Sequence, residues 1–126
     1  MLLFVIMSLF VFIKPIQTTY IIYIDDIPVG YGRIRHSSTE YLETVVGAGN
    51  LGYGISKEHR GKGYGNVLFQ ELLKKCAEHG YDEIKLFPLK SNEATIKIML
   101  KNGGAIIGSF KNEKPRCFKL NLILDR

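Results

Sequence analysis

The sequence predicts one domain of the mixed α/β class, with a mostly antiparallel central sheet and helices on both faces. Three observations support this fold class. Short apolar or alternating runs typical of strands occur towards both ends, two amphipathic helical patterns lie between them, and glycine and proline punctuate the boundaries. The 126 residues correspond to about one domain and can bury a core without disulfides or metals. We expect a single domain over residues 1–126, with 1–19 as an atypical apolar segment.

Composition excludes several protein classes. Apolar residues make up 46% and charged residues 23%, which argues against disorder and coiled coils. The net charge of +5 suits an anionic ligand, or simply a slightly basic surface. Cys76 and Cys117 have no disulfide-framework spacing, so free thiols in the cytoplasm are expected. None of the histidines, at His36, His59 and His79, is spaced with a second ligand, so no metal site is predicted.

The N-terminal run Leu2–Ile13 contains no charged residue. It is shorter than the ~20 apolar residues of a membrane-spanning helix. It also lacks the basic start and small-residue cleavage site of a secretory signal, since Lys14 and Pro15 follow directly. We expect a buried strand or helix, or part of a homodimer contact. A membrane role or a wrongly assigned start are the alternatives.

The first half of the chain is predicted to consist mainly of strands. Tyr20–Ile24 is β-branched and aromatic, residues 25–28 form a turn, and Val29–Arg35 returns as the second strand of a hairpin. A short helix is expected around Glu40–Val46, followed by a third strand at Leu51–Ser56. Strict alternation along the second strand predicts two faces. One face holds Val29, Tyr31, Arg33 and Arg35, and the other holds Gly30, Gly32 and Ile34.

The second half alternates helices and strands. A helix begins near Tyr64 and ends at Gly80, and Asn92 is suited to cap a second helix that stops at Gly103. The remaining strands are expected at Glu83–Phe87, Ala105–Phe110 and Cys117–Leu124.

The loop Arg60–Gly65 (RGKGYG) joins the third strand to the first long helix. Its glycines allow successive backbone N–H groups to turn towards one point, and the helix N-terminus adds a partial positive charge. Such a nest suits a pyrophosphate, with Arg60 and Lys62 adding charge at its rim. The spacing matches neither GxxxxGK[ST] nor GxGxxG. The alternative is a glycine-rich turn that only closes the strand–helix junction.

With its flanks, GYGISKEHRGKGYGNVLFQELLKKC resembles motif A of the GNAT acyl-CoA N-acetyltransferases, whose signature is [Q/R]-x-x-G-x-[G/A]. Arg60, Gly63 and Gly65 occupy the three defined positions. SNEATIKIMLKNGG resembles the family's next motif, and the likeness extends over roughly residues 20–121. The resemblance implies a GNAT-like fold that transfers an acetyl group from acetyl-CoA to a primary amine of a small molecule or peptide, by direct attack in a ternary complex. The alternative is a non-catalytic acyl-CoA binder or sensor.

The resemblance also implies residues that bind coenzyme A. Loop N–H groups would hold the pyrophosphate, the strand before the loop would pair with the pantetheine arm, and Ile55 N–H is the candidate donor to the thioester oxygen. Asn92 would contact pantetheine, cap its helix, or do both. The implied binding residues are Tyr53, Gly54, Ile55, Arg60, Gly61, Lys62, Gly63, Tyr64, Gly65 and Asn92.

The resemblance weakens at the catalytic groups. Many family members carry a tyrosine as general acid seven residues after the asparagine of the second motif, and that position is Met99 here. The strand before motif A contains no carboxylate. The candidate catalytic residues are therefore His36, Glu40 and Tyr53, each with an ordinary structural role as its alternative.

The acceptor side is also reduced. Family members usually carry a strand and two helices before the hairpin, whereas nineteen residues precede Tyr20 here. A wall shared across a homodimer is one solution. We expect acetyl-CoA and an amine as partners, and neither nucleic acid nor membrane. A small nucleic-acid-binding module, suggested by Tyr31, Arg33 and Arg35, is the more distant alternative.

Overall fold

A computed structural model of the chain describes residues 2–11, 14–110 and 117–124. Seven strands form two antiparallel sheets, one ordered β1-β2-β3-β4 and the other β5-β7-β6. The strands are β1 Leu2–Val11, β2 Lys14–Ile24, β3 Ile27–Arg35, β4 Leu51–Ile55, β5 Glu83–Leu86, β6 Gly104–Ser109 and β7 Phe118–Ile123. The helices are α1 Thr39–Tyr41, which continues as a π-helical turn over Leu42–Val46, a 3-10 turn Lys57–His59, α2 Tyr64–Glu78 and α3 Glu93–Lys101.

The apolar N-terminal run forms a strand, which was one of the two expected conformations. β1 pairs antiparallel with β2, and Pro15 lies inside β2, opposite Phe10. Phe12 and Ile13 lie outside the described residues, and the homodimer contact stays a prediction. In the described part of the chain, no helix is long and apolar enough to cross a membrane.

The expected alternation of β3 is wrong at one position. The pairing of β2 with β3 shifts between Ile22 and Tyr23, which leaves Val29 as an extra residue on β3. This β-bulge turns Val29 into the core, where its exposed fraction is 2%. From Tyr31 onwards the alternation holds, with Ile34 buried on the core face.

The core lies between α2 and one face of the four-stranded sheet. Leu68, Phe69 and Leu72 repeat at helical spacing and are fully buried in one cluster with Ile22 and Ile34. The close packing requires glycine opposite the helix. A Cβ atom on Gly32 would lie 2.8 Å from Leu72 Cδ2.

Both cysteines are free and buried. Burial raises the pKa of the Cys76 thiol to about 12, so this residue behaves as a small apolar group in the core. This agrees with the expectation of thiols outside any disulfide framework.

Candidate functional site

The two sheets meet at one point beside the start of β4. Asn50 N–H donates to Lys85 O at 2.8 Å, and Lys85 N–H donates to Asn50 Oδ1 at 2.7 Å. The backbones approach so closely that a Cβ atom on the preceding Gly49 would lie 2.5 Å from Lys85 O. No side chain larger than hydrogen fits there. Beyond this junction β4 and β5 form no ladder with each other.

A cleft of about 220 Å³ opens between the diverging strands. Residues that follow the junction on both strands line it, together with the first turns of α3. Its lining consists of Arg35, Ala48, Gly49, Leu51, Gly52, Tyr53, Phe87, Pro88, Asn92, Thr95 and Met99. Arg35 and Tyr53 are the titratable side chains in this lining.

The backbone of β4 presents hydrogen-bonding groups to the cleft. At one end of the β3–β4 ladder Arg35 N–H donates to Asn50 O, and at the other end Ser56 N–H donates to Val29 O. Antiparallel ladders bond at every second residue, so Gly52 and Gly54 direct their polar groups towards β3. The N–H and C=O groups of the intervening residues, Leu51, Tyr53 and Ile55, therefore point away from β3, and Leu51 and Tyr53 line the cleft.

The Arg60–Gly65 loop lies where β4 ends. Gly61 and Gly63 have φ values of +77° and +80°, in the left-handed region that glycine adopts without strain. A Cβ atom on either residue would meet no atom within 4 Å, so the loop is open on this side. Arg60 Nε donates to Ile55 O at 2.9 Å and fixes the loop against the strand.

Helix α2 begins at Tyr64 without a side-chain cap and without an acidic residue in its first turn. Its first N–H groups lack intrahelical acceptors and carry the positive end of a helix of 15 residues. The left-handed glycines and the uncapped helix start are the two features on which the predicted anion nest depends, and binding of an anion there stays a prediction. A Cβ atom on Gly65 would lie 3.5 Å from Ile98 Cδ1 on α3, which is an ordinary van der Waals contact.

Asn92 caps α3. Its Oδ1 accepts a hydrogen bond from Thr95 N–H at 3.2 Å, as the sequence indicated, and the residue also lines the cleft. Met99 lies further along α3, faces the same cleft and is 5% exposed. It has no proton to donate.

Tyr53 spans the base of the cleft from β4 to α3. Its hydroxyl lies 3.0 Å from Thr95 Oγ1, and its ring packs edge-on against Phe69. Burial raises the pKa of the Tyr53 phenol above its usual value, an effect that the Thr95 hydrogen bond opposes. The phenol therefore remains protonated at neutral pH. Of the three candidate catalytic residues, Tyr53 is the one that the structure brings to the cleft.

His36 lies on the other side of β3, outside the lining of the cleft. Its Nε2 is 2.9 Å from Thr18 Oγ1, and its Nδ1 makes a hydrogen bond with the Tyr81 hydroxyl. Burial lowers the pKa of His36, and the neighbouring His79 lowers it further. Alternation explains this placement, because the residue after Arg35 points to the opposite face of the strand. The structure places His36 in a structural hydrogen-bond network.

The structure does not bring Glu40 to the cleft either. Glu40 is exposed on α1, and its carbonyl oxygen accepts from Thr44 Oγ1 at 2.7 Å. The other glutamate of this segment, Glu43, pairs with Lys119 Nζ at 3.4 Å. Among the described residues, the cleft lining thus holds no carboxylate and no imidazole.

A row of side chains lies on the sheet face that turns away from α2, as the alternation of β3 predicts for Tyr31, Arg33 and Arg35. Tyr31 and Arg35 of β3 lie directly over the backbone of β4. A Cβ atom on Gly54 would be 2.9 Å from Tyr31 Cε1, and one on Gly52 would be 3.2 Å from Arg35 Nη2. The alternation that places Tyr31, Arg33 and Arg35 on one face was available in the sequence. The sequence does not predict the cleft beside Arg35.

The fold is similar to those of solved structures described as acetyltransferases. A GNAT-family acetyltransferase from Streptococcus pneumoniae superposes with a TM-score of 0.66 at 18% identity, covering 87% of this chain and 68% of that protein. A ribosomal-protein-alanine N-acetyltransferase from Brucella melitensis gives 0.68 at 18% identity, with coverages of 86% and 69%. Mutant forms of a spermidine/spermine N-acetyltransferase from Vibrio cholerae give 0.66 at 13% identity, with 86% and 67%. This chain therefore spans about two thirds of their length.

A comparison with curated protein sequences gave no significant match. The sequence model of the Acetyltransferase (GNAT) family matches residues 6–104, a range that includes the Arg60–Gly65 loop, β4 and all of α3. The match covers well over half of the chain and agrees with the fold. The chain belongs to the GNAT family of acetyltransferases.

Proposed function

We propose that this protein transfers the acetyl group of acetyl-CoA to a primary amine of a small molecule or peptide by direct attack in a ternary complex. The observation that carries the proposal is the parting of β4 and β5 after Asn50 and Lys85. It leaves unpaired strand backbone beside a cleft, with an anion nest at one end. A thioester on a long polar arm with a pyrophosphate fits this combination.

The pyrophosphate would bind in the nest formed by residues 60–65. Loop and helix N–H groups would donate to its oxygens, and the α2 N-terminus would favour its charge. Lys62 is exposed at the rim, where it would add a screened attraction. Arg60 has a further function, since its side chain holds the carbonyl end of β4 in place.

The pantetheine arm would run along β4 towards the junction and pair with the backbone groups of Tyr53 and Ile55 that point away from β3. This direction decides which N–H group meets the thioester. Ile55 lies beside the nest, whereas Leu51 lies four residues away, about 13 Å along an extended strand. We therefore assign the thioester oxygen to Leu51 N–H instead of Ile55 N–H. Such a donor stabilises the oxyanion that forms during attack.

The reaction forms a nitrogen–carbon bond and breaks the carbon–sulfur bond. The neutral amine attacks the thioester carbon, the tetrahedral intermediate expels the coenzyme A thiolate, and the amine proton is lost. The products are an N-acetyl amine and the coenzyme A thiol. With no carboxylate or imidazole in the described lining, we propose that water removes the proton from the ammonium form before attack.

Tyr53 would assist departure of the thiolate. Thr95 Oγ1 can donate to the Tyr53 oxygen, which leaves the phenol proton free for the sulfur. The phenol has a higher pKa than a thiol, so its main effect is a hydrogen bond to the developing thiolate. In this role Tyr53 reaches from β4 towards the helix that carries Met99 in place of the family's usual tyrosine.

The first test is a thermal shift with acetyl-CoA, coenzyme A, ATP and NAD in parallel. Ligand at ~100 times Kd should stabilise the fold by about 2.7 kcal/mol, which for a domain of this size is a rise in Tm of roughly 8–16 °C. We expect a rise with acetyl-CoA and coenzyme A alone. A rise with ATP and NAD as well would contradict the assigned site.

Thiol release with a panel of amines then separates an enzyme from an acyl-CoA binder. We expect amine-dependent release of coenzyme A and an equal amount of N-acetyl product by mass spectrometry. Binding of acetyl-CoA without product from any amine would favour the alternative, a sensor on the same scaffold.

A further inference from the structure

Two arginines lie next to each other on one face of β3. Arg33 and Arg35 are two residues apart and point to the side away from α2. Among the described residues, neither forms an ion pair. Arg33 Nε is also buried without a hydrogen-bond partner. A buried donor without a partner among the described residues is uncommon in folded proteins.

Arg35 brings this positive charge to the cleft. Its Nη1 donates to Gly49 O at 3.0 Å, and Gly52 leaves room for Nη2. One nitrogen of the guanidinium is thus fixed, while Nη2 and Nε form no hydrogen bond within the described residues. The fixed guanidinium lies in the same cleft as Tyr53, whose side chain projects from β4 on the opposite face.

The surroundings favour an anion. Burial lowers the pKa of Arg35, and the like charge of Arg33 lowers it further, with Tyr31 opposing this effect. A carboxylate or phosphate between the two would offset the repulsion and accept the unused N–H groups. Arginine suits both anions because its planar fork can donate two parallel hydrogen bonds.

We infer that the acceptor amine carries an anionic group, a carboxylate or a phosphate, and that Arg35 binds this group with Arg33 adding to the positive potential. This inference rests on the proposed function. The anionic group would orient the acceptor so that its nitrogen enters the cleft towards the thioester. A polyamine would instead place a second positive charge beside the arginines, so spermidine is expected to be a poor acceptor.

The test compares amines that differ in the anionic group. γ-Aminobutyrate is paired with butylamine, and phosphoethanolamine with ethanolamine; the two pairs separate carboxylate from phosphate recognition. We expect kcat/KM to be about tenfold or more higher for the anionic member of at least one pair. Arg35→Gln keeps a donor for Gly49 O and should abolish that preference. Lys101→Gln, at an exposed cation on α3, is the matched control and should preserve it.

The coenzyme A thermal shift of Arg35→Gln must equal that of the wild type, and Arg35→Lys serves as a second variant if the first does not fold. Equal kcat/KM for the charged and uncharged amines would overturn the inference while the proposed function stands. If no amine is acetylated, the proposed function fails. In that case, calorimetric titration of γ-aminobutyrate and phosphoethanolamine into the coenzyme A complex tests the anion site by itself. Binding that Arg35→Gln abolishes supports the anion site, and absence of binding overturns it.

Discussion

Asn50 joins the two sheets, because both its backbone and its side chain form hydrogen bonds with Lys85 at the point where β4 and β5 part. Its amide nitrogen also donates to Arg35 O at 3.1 Å, so a single carboxamide bridges three segments. Asn50 is 8% exposed, and water cannot replace these bonds easily.

Asn50→Ala should therefore lower the free energy of unfolding by about 2–4 kcal/mol, because it leaves buried backbone groups without partners. Urea denaturation measures this loss. Asn121→Ala is the control, since the Asn121 side chain accepts a hydrogen bond from the Lys85 ammonium, at 2.7 Å, and its loss should cost less than about 1 kcal/mol. Equal losses would mean that Asn50 is not the junction described.

Gly63→Val should abolish coenzyme A binding. It adds a branched side chain at a left-handed residue in the nest, which both strains the loop and obstructs the pyrophosphate. Gly103→Val is matched to it, because Gly103 has φ +100° and equally open space but lies at the end of α3. Both variants should lose about 1–2 kcal/mol of stability. Calorimetry should detect loss of coenzyme A affinity in Gly63→Val alone.

Gly65→Val tests the other end of the nest. The first methyl group would make an ordinary contact with Ile98, and the remaining bulk would press α2 away from α3. We expect weaker coenzyme A binding by calorimetry. Near-normal affinity in both Gly63→Val and Gly65→Val would contradict the pyrophosphate site.

Tyr53→Phe should lower kcat about 100-fold and leave KM for acetyl-CoA nearly unchanged, since it removes the hydroxyl that would donate to the departing sulfur and keeps the ring packing against Phe69. Thr95→Val should give a smaller loss, because Thr95 only positions the phenol. Tyr41→Phe, at an exposed tyrosine on α1, is the control. An unchanged kcat in Tyr53→Phe would remove Tyr53 from the mechanism.

The pH dependence of kcat/KM reports the identity of the base. With water as proton acceptor and an alkylamine pKa of about 10.4, the rate should rise about tenfold per pH unit from pH 6.5 to 9. Burial keeps the pKa of Tyr53 above its usual value, so the phenol stays protonated over this range. A plateau with a midpoint near pH 6–7 would reveal a protein base.

His36 should affect stability rather than catalysis. Burial and His79 hold the pKa of His36 below its unfolded value of about 6.5, so the unfolded chain takes up the proton first as pH falls. The neutral His36 contributes fully to the free energy of unfolding above about pH 6.5. This contribution is lost as the pH decreases through the pKa of His36 in the folded protein. Urea denaturation at pH 7.5 and pH 5 should show a smaller pH-dependent loss for His36→Asn than for the wild type. An unchanged kcat is also expected.

Sequence reasoning succeeded where local chemistry decides the structure. The loop at Gly61 and Gly63, the start of α2 at Tyr64 and the cap at Asn92 all follow from glycine conformation or capping within a few residues. Sequence reasoning failed where a residue distant along the chain determines the position of a side chain. Val29 enters the core because of a bulge set by pairing with β2, and His36 turns to Tyr81, 45 residues away.

The cleft itself depends on such distant partners. The residues around Asn50 in the sequence do not predict that its carboxamide forms a hydrogen bond with Lys85. They also do not predict that β4 and β5 separate immediately after this contact. For the same reason the sequence indicates that Arg35 is a basic residue on a strand but does not indicate that it lines a cleft. Its position beside Gly49 and Gly52 follows from the folding back of the chain, which residue patterns do not encode.

The parting of β4 from β5 gives this protein two sheet edges that line its interior, in addition to the edges at β1 and β6. Exposed edges invite strand addition and aggregation, and proteins usually protect them with charge, bulges or closure. Here the backbone groups of Leu51, Tyr53 and Ile55 that point away from β3 would be covered when the arm of coenzyme A pairs with them as a strand would. The co-substrate would then also act as a solubility factor, and purification in its presence should reduce self-association of the chain.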